Sequence, residues 1–342
     1  SLPVSEASTI GWTVSSDQPW LIITSGTSGN GSGSVTFFAQ ANEGGQARTG
    51  HLTVAGITYT VLQEGGYKPP RAVKNDFDGD GRTDIACYYP PEGTWYMYRT
   101  EQGFWTTNHS GFIEFYSVSG DFNGDLKADI GYYYPPSGLW DIRYMGAPGK
   151  MQTHFGYGGT YPVTADFDGD GRCDFGCYYP PDGSWYVMKS TRGFWHVNWG
   201  YGGTLPVTGD FDGDGLDDFG CYYPPDGSWY VMKSTRGFWH VNFGYSAALP
   251  VTGDFDGDGL CDFGCYDPML SRWYAFNSRQ GFSITDFYEI GAKPVTGDFD
   301  GDGVDDFGVY WPPSGLWKIA LSSGGWYIDH FGYSGTVPIP GW

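Results

Sequence analysis

Four carboxylates within nine residues, spaced by glycines, recur through most of this chain. The stretches begin at Asp76, Asp121, Asp166, Asp210, Asp254 and Asp298, 44 or 45 residues apart. In the third, Asp166, Asp168, Asp170 and Asp174 hold positions 1, 3, 5 and 9, with Gly169 and Gly171 at 4 and 6. The carbonyl of Arg172 at position 7 would add a fifth oxygen. The corresponding sets are Asp76, Asp78, Asp80, Arg82 and Asp84; Asp210, Asp212, Asp214, Leu216 and Asp218; Asp254, Asp256, Asp258, Leu260 and Asp262; and Asp298, Asp300, Asp302, Val304 and Asp306. Oxygen-only ligands in a flexible loop suit Ca²⁺ better than Zn²⁺, which prefers nitrogen and sulfur, or the stricter octahedron of Mg²⁺. We therefore expect about six Ca²⁺ ions, one per repeat. The second set (Asp121, Asn123, Asp125, Lys127, Asp129) departs from the pattern, with Asn123 at position 3 and Leu126 at position 6. It loses one charge, must fit a side chain into a tight turn, and is expected to be the weakest site.

An EF-hand would need flanking helices and a Glu at position 12. Here position 12 is Cys177, Cys221 or Cys265 in three copies, within aromatic runs that end in proline turns. Such runs predict strands. The fourth copy resolves into Leu205–Phe211, Phe219–Tyr223, Ser228–Lys233 and Phe238–Phe243, with the acidic loop joining the first two. Four antiparallel strands repeating at about 44 residues predict a β-propeller blade, each blade covering its neighbour's faces. Residues 71–342 then make an all-β, six-bladed propeller with one Ca²⁺ loop per blade. The tail Thr336–Trp342 reads like the first strand of a further blade, with Trp342 in place of the first Asp. It fits ring closure, an onward link or a docking strand equally well.

The loops and their period resemble the FG-GAP/VCBS group, which includes the calcium-loop blades of integrin α-subunits and propeller lectins of fungi and bacteria. The resemblance implies metal ligands at the loop positions named above and covers about four-fifths of the chain. Residues 1–66 differ in composition, with no Cys and no acidic loop. Gly11–Ser16, Trp20–Ile23, Gly33–Phe37, Gly50–Val54 and Thr58–Val61 read as short strands of a small Ig-like β-sandwich. The Trp12-Thr13-Val14-Ser15-Ser16 and Pro19-Trp20-Leu21 motifs, the Ala41-Asn42-Glu43 turn and the closing Val61–Gly65 resemble a BACON domain. That resemblance implies a secreted setting, and such domains often accompany carbohydrate-active modules; for the segment itself a spacer or stalk is the favoured reading over a glycan role. Residues 67–70 read as a linker stiffened by proline.

The formal charge is −21, yet the ligand positions of the loops hold 23 of the 39 acidic residues (five loops with four, one with three). Six calcium ions would bring the charge to −9, which still argues against nucleic acid, heparin-like polymers or anionic membranes as partners. No apolar run is long enough to span a membrane. No signal peptide is visible, although millimolar extracellular calcium suits such loops, so we expect a secreted or cell-surface protein. Cys173 and Cys177 lie roughly 13 Å apart along a strand, too far to bond each other, and the same holds for Cys261 and Cys265. Any disulfide must then cross between repeats, with Cys221 the natural partner for one pair and Cys87 left as a free thiol.

No catalytic triad, phosphate loop or histidine cluster can be assembled from local motifs. The acids outside the loops, among them Asp182, Asp226, Asp286, Asp329 and Glu289, do not define a glycosidase pair without geometry. Aromatic residues make up 19% of the chain, more than blade cores need. One Trp recurs in every copy (Trp95, Trp140, Trp185, Trp229, Trp273, Trp317), and such regularity points to packing between blades. Less regular aromatics, including Tyr179, Trp195, Tyr223 and Trp239, are candidate ligand platforms, since pyranose rings offer apolar C–H faces beside hydroxyls. A polar column of His109, His154, Asn198, Asn242, Asp286 and His330 ends each copy, as a strand cap or as ligand-facing donors; Asn198 and Asn242 join the ligand set. The sequence points to non-catalytic, multivalent glycan binding. The alternatives are an adhesive or self-associating surface module and a polysaccharide lyase or hydrolase.

Overall fold

The structure, a computed structural model, describes residues 2–4, 11–39, 48–63, 71–109 and 114–339. It divides into two compact units, Ser1–Lys68 and Pro69–Trp342. Among the described residues every regular element is a strand, and no helix is long and apolar enough to cross a membrane.

The first unit has two antiparallel sheets. One orders Leu2–Val4, Gly33–Ala39 and Leu21–Ser25; the other orders Ser28–Asn30, Gly11–Ser16, Arg48–Val54 and Ile57–Gln63. Alternating burial along Arg48–Val54 sends Leu52 and Val54 inward, where they join Trp12, Trp20, Leu21 and Val35 in two small clusters. The Trp12 indole needs flat neighbours: a Cβ on Gly29 or Gly33 would come within 2.6 Å of its ring. Its buried Nε1–H donates to the Gly31 carbonyl at 2.7 Å, which meets the cost of burying a polar group. The five expected strands are present; Leu2–Val4 and Ser28–Asn30 were not foreseen, because three residues are too few to show an alternation. The expected Ala41-Asn42-Glu43 turn and the linker lie outside the described residues.

Among its described residues the second unit holds six four-stranded antiparallel sheets, five of them built from four consecutive strands. The fourth comprises Leu205–Gly209, Asp218–Tyr223, Ser228–Lys233 and Gly237–Asn242, within two residues of the sequence reading. Its core is built across the register Val207↔Gly220↔Val231. A Cβ on Gly220 would meet the two valine methyls at 3.1 and 3.0 Å, so the glycine lets both close over it. The recurring tryptophans are at most 1% exposed, and each lies in register with a buried tyrosine, as Trp229 does with Tyr222. Four of the indoles donate to a backbone carbonyl about 14 residues onward, such as Trp229 to Phe243 at 2.7 Å. Packing accounts for this column.

The first sheet lacks a first strand from its own stretch of chain. Val337–Pro338 fills the place, pairing with Ile85–Tyr89, while Ile339 N–H donates to the Ala86 carbonyl at 3.0 Å. Of the three uses open to the tail, pairing with the first sheet is the one found; Trp342 lies outside the described residues. A second cycle runs through the acidic loops. The position-8 amide of each loop donates to the position-1 carbonyl of the loop before it: Ala128 to Asp76, Cys173 to Asp121, Asp217 to Asp166, Cys261 to Asp210, Asp305 to Asp254, and Thr83 back to Asp298, all at 2.6–2.8 Å.

All six cysteines are free thiols: the one cross-repeat pairing the spacing allowed, through Cys221, is not formed, and Cys87 is the free, buried thiol expected. Cys177 packs on Tyr133 and Trp140 of the preceding sheet, Cys265 on Tyr222 and Trp229, and Cys87 on Tyr310 and Trp317. Cys87, Cys177 and Cys265 thus sit in three different clusters, and Cys173 and Cys261 lie beside Cys177 and Cys265 in two of them without bonding to them.

Candidate metal centre

The acidic loops are organised first by their own backbone amides. In the third loop Asp166 Oδ1 accepts the N–H of Gly169 and Asp170 at 2.7 and 3.2 Å, and Oδ2 accepts Gly171 N–H at 2.9 Å. Asp170 Oδ1 accepts the position-7 amide of Arg172 at 2.9 Å. The same position-7 amide bond is made by Arg82, Lys127, Leu216, Leu260 and Val304. Position 4 must be glycine twice over. Its φ is positive, and the position-7 side chain of the following loop lies against it: a Cβ on Gly257 would sit 2.8 Å from Val304 Cγ2.

The third strand and its hairpin then clasp each loop. Asp174 Oδ2 accepts Phe167 N–H at 2.9 Å and Oδ1 accepts Ser190 N–H at 2.7 Å. Asp168 Oδ2 accepts the amides of Thr191 and Arg192, both at 3.1 Å, and Ser190 Oγ reaches Asp170 Oδ2 at 2.6 Å. Every carboxylate oxygen of Asp168 and Asp174 in this cage has a donor except one: Asp168 Oδ1. The same atom is buried and without a hydrogen-bond partner in Asp78, Asp212, Asp256 and Asp300. A buried anionic oxygen with no donor is costly. Its recurrence at one loop position marks a place built for something other than a protein hydrogen.

Three carboxylates converge there. One oxygen from each of Asp166, Asp168 and Asp174 lies within 4.8 Å of the others, and so do those of Asp76/Asp78/Asp84, Asp210/Asp212/Asp218, Asp254/Asp256/Asp262 and Asp298/Asp300/Asp302. Burial pushes Asp84, Asp129, Asp174 and Asp218 up to about 7, and Asp262 and Asp306 to about 6, against the pull of their amide donors. Clustered, desolvated carboxylates of this kind are the electrostatic setting that a divalent cation relieves. The donor set is all oxygen and fits a hard cation.

The second loop is the exception. Asn123 turns inward on its own loop, its Oδ1 accepting Asp125 N–H at 2.9 Å and its Nδ2 donating to Asp125 Oδ2 at 3.2 Å. Leu126 holds φ +66° where the other loops have glycine. Asp121 and Asp129 keep their amide donors, so the fold of the loop survives the loss of its third carboxylate.

The aromatic and amide candidates are placed as follows. Trp195 packs on Phe219 at 4.9 Å with Lys189 over its ring, and Trp239 on Phe263 at 4.7 Å with Lys233 over its ring. Asn198 Nδ2 donates to the Asp182 carbonyl at 2.9 Å and Asn242 Nδ2 to that of Asp226 at 2.8 Å, which makes both of them strand caps. The polar column needs one correction. Asn108, not His109, pairs with Thr94 as Asn198 pairs with Ser184, and Asn108 Nδ2 donates to the Glu92 carbonyl in the same way.

Tyr179 and Tyr223 belong to clusters that motif reading missed. Tyr179 meets Tyr157 at 5.2 Å, and Tyr157 meets Tyr186 at 5.8 Å. Tyr223, Tyr201 and Tyr230 repeat this at the next seam, and Tyr89, Tyr333 and Tyr96 at the seam between the sixth and first sheets. Tyr157, Tyr201 and Tyr333 are each 40% exposed, and Tyr333 shares a hydroxyl contact of 3.0 Å with Tyr96. The signal was the Gly-Tyr pair that follows four of the six fourth strands (Gly156-Tyr157, Gly200-Tyr201, Gly244-Tyr245, Gly332-Tyr333); at the Gly244-Tyr245 seam, Tyr245 meets Tyr274 and Asp267 in place of a third tyrosine.

A viral BACON domain model matches residues 1–63. Comparison with curated proteins returns no match. Among solved structures the chain is similar to an Agrocybe aegerita lectin described as specifically recognising non-reducing terminal N-acetylglucosamine, at 16% identity and a TM-score of 0.52, covering 87% of this chain and 96% of the lectin. A streptogramin B lyase aligns at 10% identity and a TM-score of 0.50, covering 78% and 85%. Virginiamycin B lyase from Staphylococcus aureus aligns at 7% and 0.46, covering 76% and 87%. At these identities the likeness is one of fold: an all-β chain of repeated four-stranded sheets resembling propeller lectins. Because the lectin and the streptogramin B lyase share this fold, fold alone does not choose between binding and turnover.

Proposed function

We propose that the second unit is a six-bladed propeller of FG-GAP/VCBS type, that it carries calcium in its loops, and that it binds glycans without catalysis at several equivalent seams. The loop chemistry supports calcium through the five unpartnered carboxylate oxygens, with the second loop as the weak or vacant position. The observation that carries the glycan reading is the three-tyrosine cluster at three seams. Half-exposed ring faces beside phenol hydroxyls suit a pyranose, whose C–H face is apolar and whose hydroxyls need partners. Three like sites on one rigid disc would turn weak single contacts into avidity for a polymeric or densely displayed glycan. The calcium loops suit an extracellular setting, and the BACON-like unit would serve as a spacer.

A glycan array probed with the calcium-loaded chain tests this, with N-acetylglucosamine-terminated glycans among the first probes. The expected result is binding to at least one glycan class that weakens in Tyr201→Ala and falls further in Tyr157→Ala/Tyr201→Ala. No sugar binding, together with concentration-dependent assembly in sedimentation, would favour the adhesive alternative. Release of reducing ends or unsaturated products from a polysaccharide panel would overturn the non-catalytic reading.

A further inference from the structure

One seam differs from the other five. At those five, an exposed ring of the fourth strand rests on a ring that ends the preceding sheet, as Phe194 does on Phe155 at 6.1 Å and Phe238 on Trp199 at 5.5 Å. Between the first and second sheets all three seam positions are polar. His109 takes the place of Phe155 and Trp199, since its amide bonds to Gly93 as theirs do to Gly138 and Gly183. Lys150 takes the place of Phe194, and Asp141, next to Trp140, takes that of Tyr186 next to Trp185.

These replacements open a cleft of about 360 Å³ lined by His109, Tyr132, Asp141, Arg143, Gly149 and Lys150. That is the small end of the range for ligand pockets and has room for one sugar ring. Asp141 is only 5% exposed. Its Oδ2 accepts Lys150 Nζ at 3.2 Å and Gln152 Nε2 at 2.9 Å, and its Oδ1 has no hydrogen-bond partner, with His109 Nε2 at 3.4 Å. Burying a carboxylate costs stability that an aromatic seal would not, so the seam departs from the local packing rule. Such departures gather at functional sites. Arg143 supplies the second, independent sign. Its guanidinium donates to Thr107 Oγ1 at 2.7 Å and lies 5.8 Å from the Trp105 ring, and no carboxylate among the described residues pairs with it. Asp141 already has Lys150 as its cation, so the solvent-exposed Arg143 guanidinium at the cleft is free to take an anion from outside.

We propose that this cleft binds one acidic sugar unit, a uronate, with Arg143 taking the carboxylate and the Lys150–Asp141–His109 group meeting ring hydroxyls. Guanidinium suits a carboxylate because its N–H fork matches two oxygens. The proposal extends the glycan reading to a single, chemically distinct site and rests on none of the tyrosine clusters.

The test is calorimetric or NMR titration of the whole calcium-loaded chain with D-glucuronate and D-galacturonate, set against D-glucose, D-galactose and lactate. At least one uronate should saturate. Its neutral counterpart and lactate should each bind about tenfold or more weakly, the loss expected from one charge-assisted hydrogen-bond set or from the missing ring. Arg143→Gln should abolish uronate binding and leave the melting temperature and any neutral-glycan signal unchanged, while Tyr201→Ala should weaken the neutral-glycan signal and leave uronate binding unchanged. No saturation by either uronate, equal binding of neutral sugar or lactate, or full binding by Arg143→Gln would overturn the assignment. Uronate binding without any array signal would sink only the tyrosine-seam reading; an array signal without uronate binding would sink only this one.

Discussion

Repairing the second loop offers the sharpest test of the metal assignment, because the two substitutions have opposite logic. Leu126 sits at φ +66°, where a side chain costs about 1–2 kcal/mol. Glycine would remove that strain but give the unfolded chain about 0.4–1 kcal/mol of extra freedom. Leu126→Gly should therefore stabilise by about 0.5–1 kcal/mol, with or without calcium. Asn123→Asp breaks the 3.2 Å bond from Nδ2 to Asp125 and sets two carboxylates face to face. In chelator it should cost about 1 kcal/mol for the bond, with charge repulsion in addition. In calcium the same change completes the third carboxylate of the cage. A gained site held at a hundred times its Kd adds about 2.7 kcal/mol, so the sign reverses. Urea unfolding followed by tryptophan fluorescence in EGTA and in millimolar calcium measures both arms, and elemental mass spectrometry counts the bound ions. One additional tight calcium is expected in Asn123→Asp/Leu126→Gly. Equal destabilisation of Asn123→Asp in both media, with an unchanged ion count, would refute the reasoning.

Without metal, the position-9 aspartates titrate at about 6 to 7 in the folded chain, above the ordinary carboxylate value of 3.8. The native state then holds protons that the unfolded chain has released, so the metal-free protein should lose stability as pH rises from about 4 to about 7. In calcium the dependence should reverse, because protons compete with the ion; melting curves across this window check both signs. Burial raises the thiols of Cys87, Cys221 and Cys265 to about 12 and that of Cys177 to about 11. The native chain should therefore resist a thiol reagent, while six thiols should react in guanidinium without reductant; a count of four or fewer would reveal a disulfide.

The acidic loops were legible because each carboxylate has a fixed offset from a glycine that the turn requires, so the spacing alone encodes the cage. The strands of the fourth sheet were legible because proline turns and the loop itself bound them. What escaped notice depends on register across seams. His109 resembles His154 and His330 chemically, but counting from the buried Trp95 assigns the cap to Asn108, because the second sheet has a longer hairpin, from Arg143 to Lys150. Asp217 and Asp305 look like further metal ligands, yet their Oδ2 atoms accept the amides of Asp166 and Asp254 in the neighbouring loop. The tyrosine clusters join residues from two sheets, and a single sequence does not show which faces of consecutive repeats meet. The cleft was likewise invisible: Asp141 and Arg143 share one strand, but only the fold brings His109 to them.

The two-residue strand Val337–Pro338 also bears on how the molecule is made. It completes the sheet that opens with Ile85, so the first of the six sheets to leave the ribosome waits for nearly the last described residues before its edge is covered. Through most of synthesis that edge offers unpaired amides and carbonyls to any passing strand. A nascent or shortened chain ending before Thr336 would be prone to borrow the missing strand from another copy, giving exchanged dimers or open chains in place of a clasped monomer.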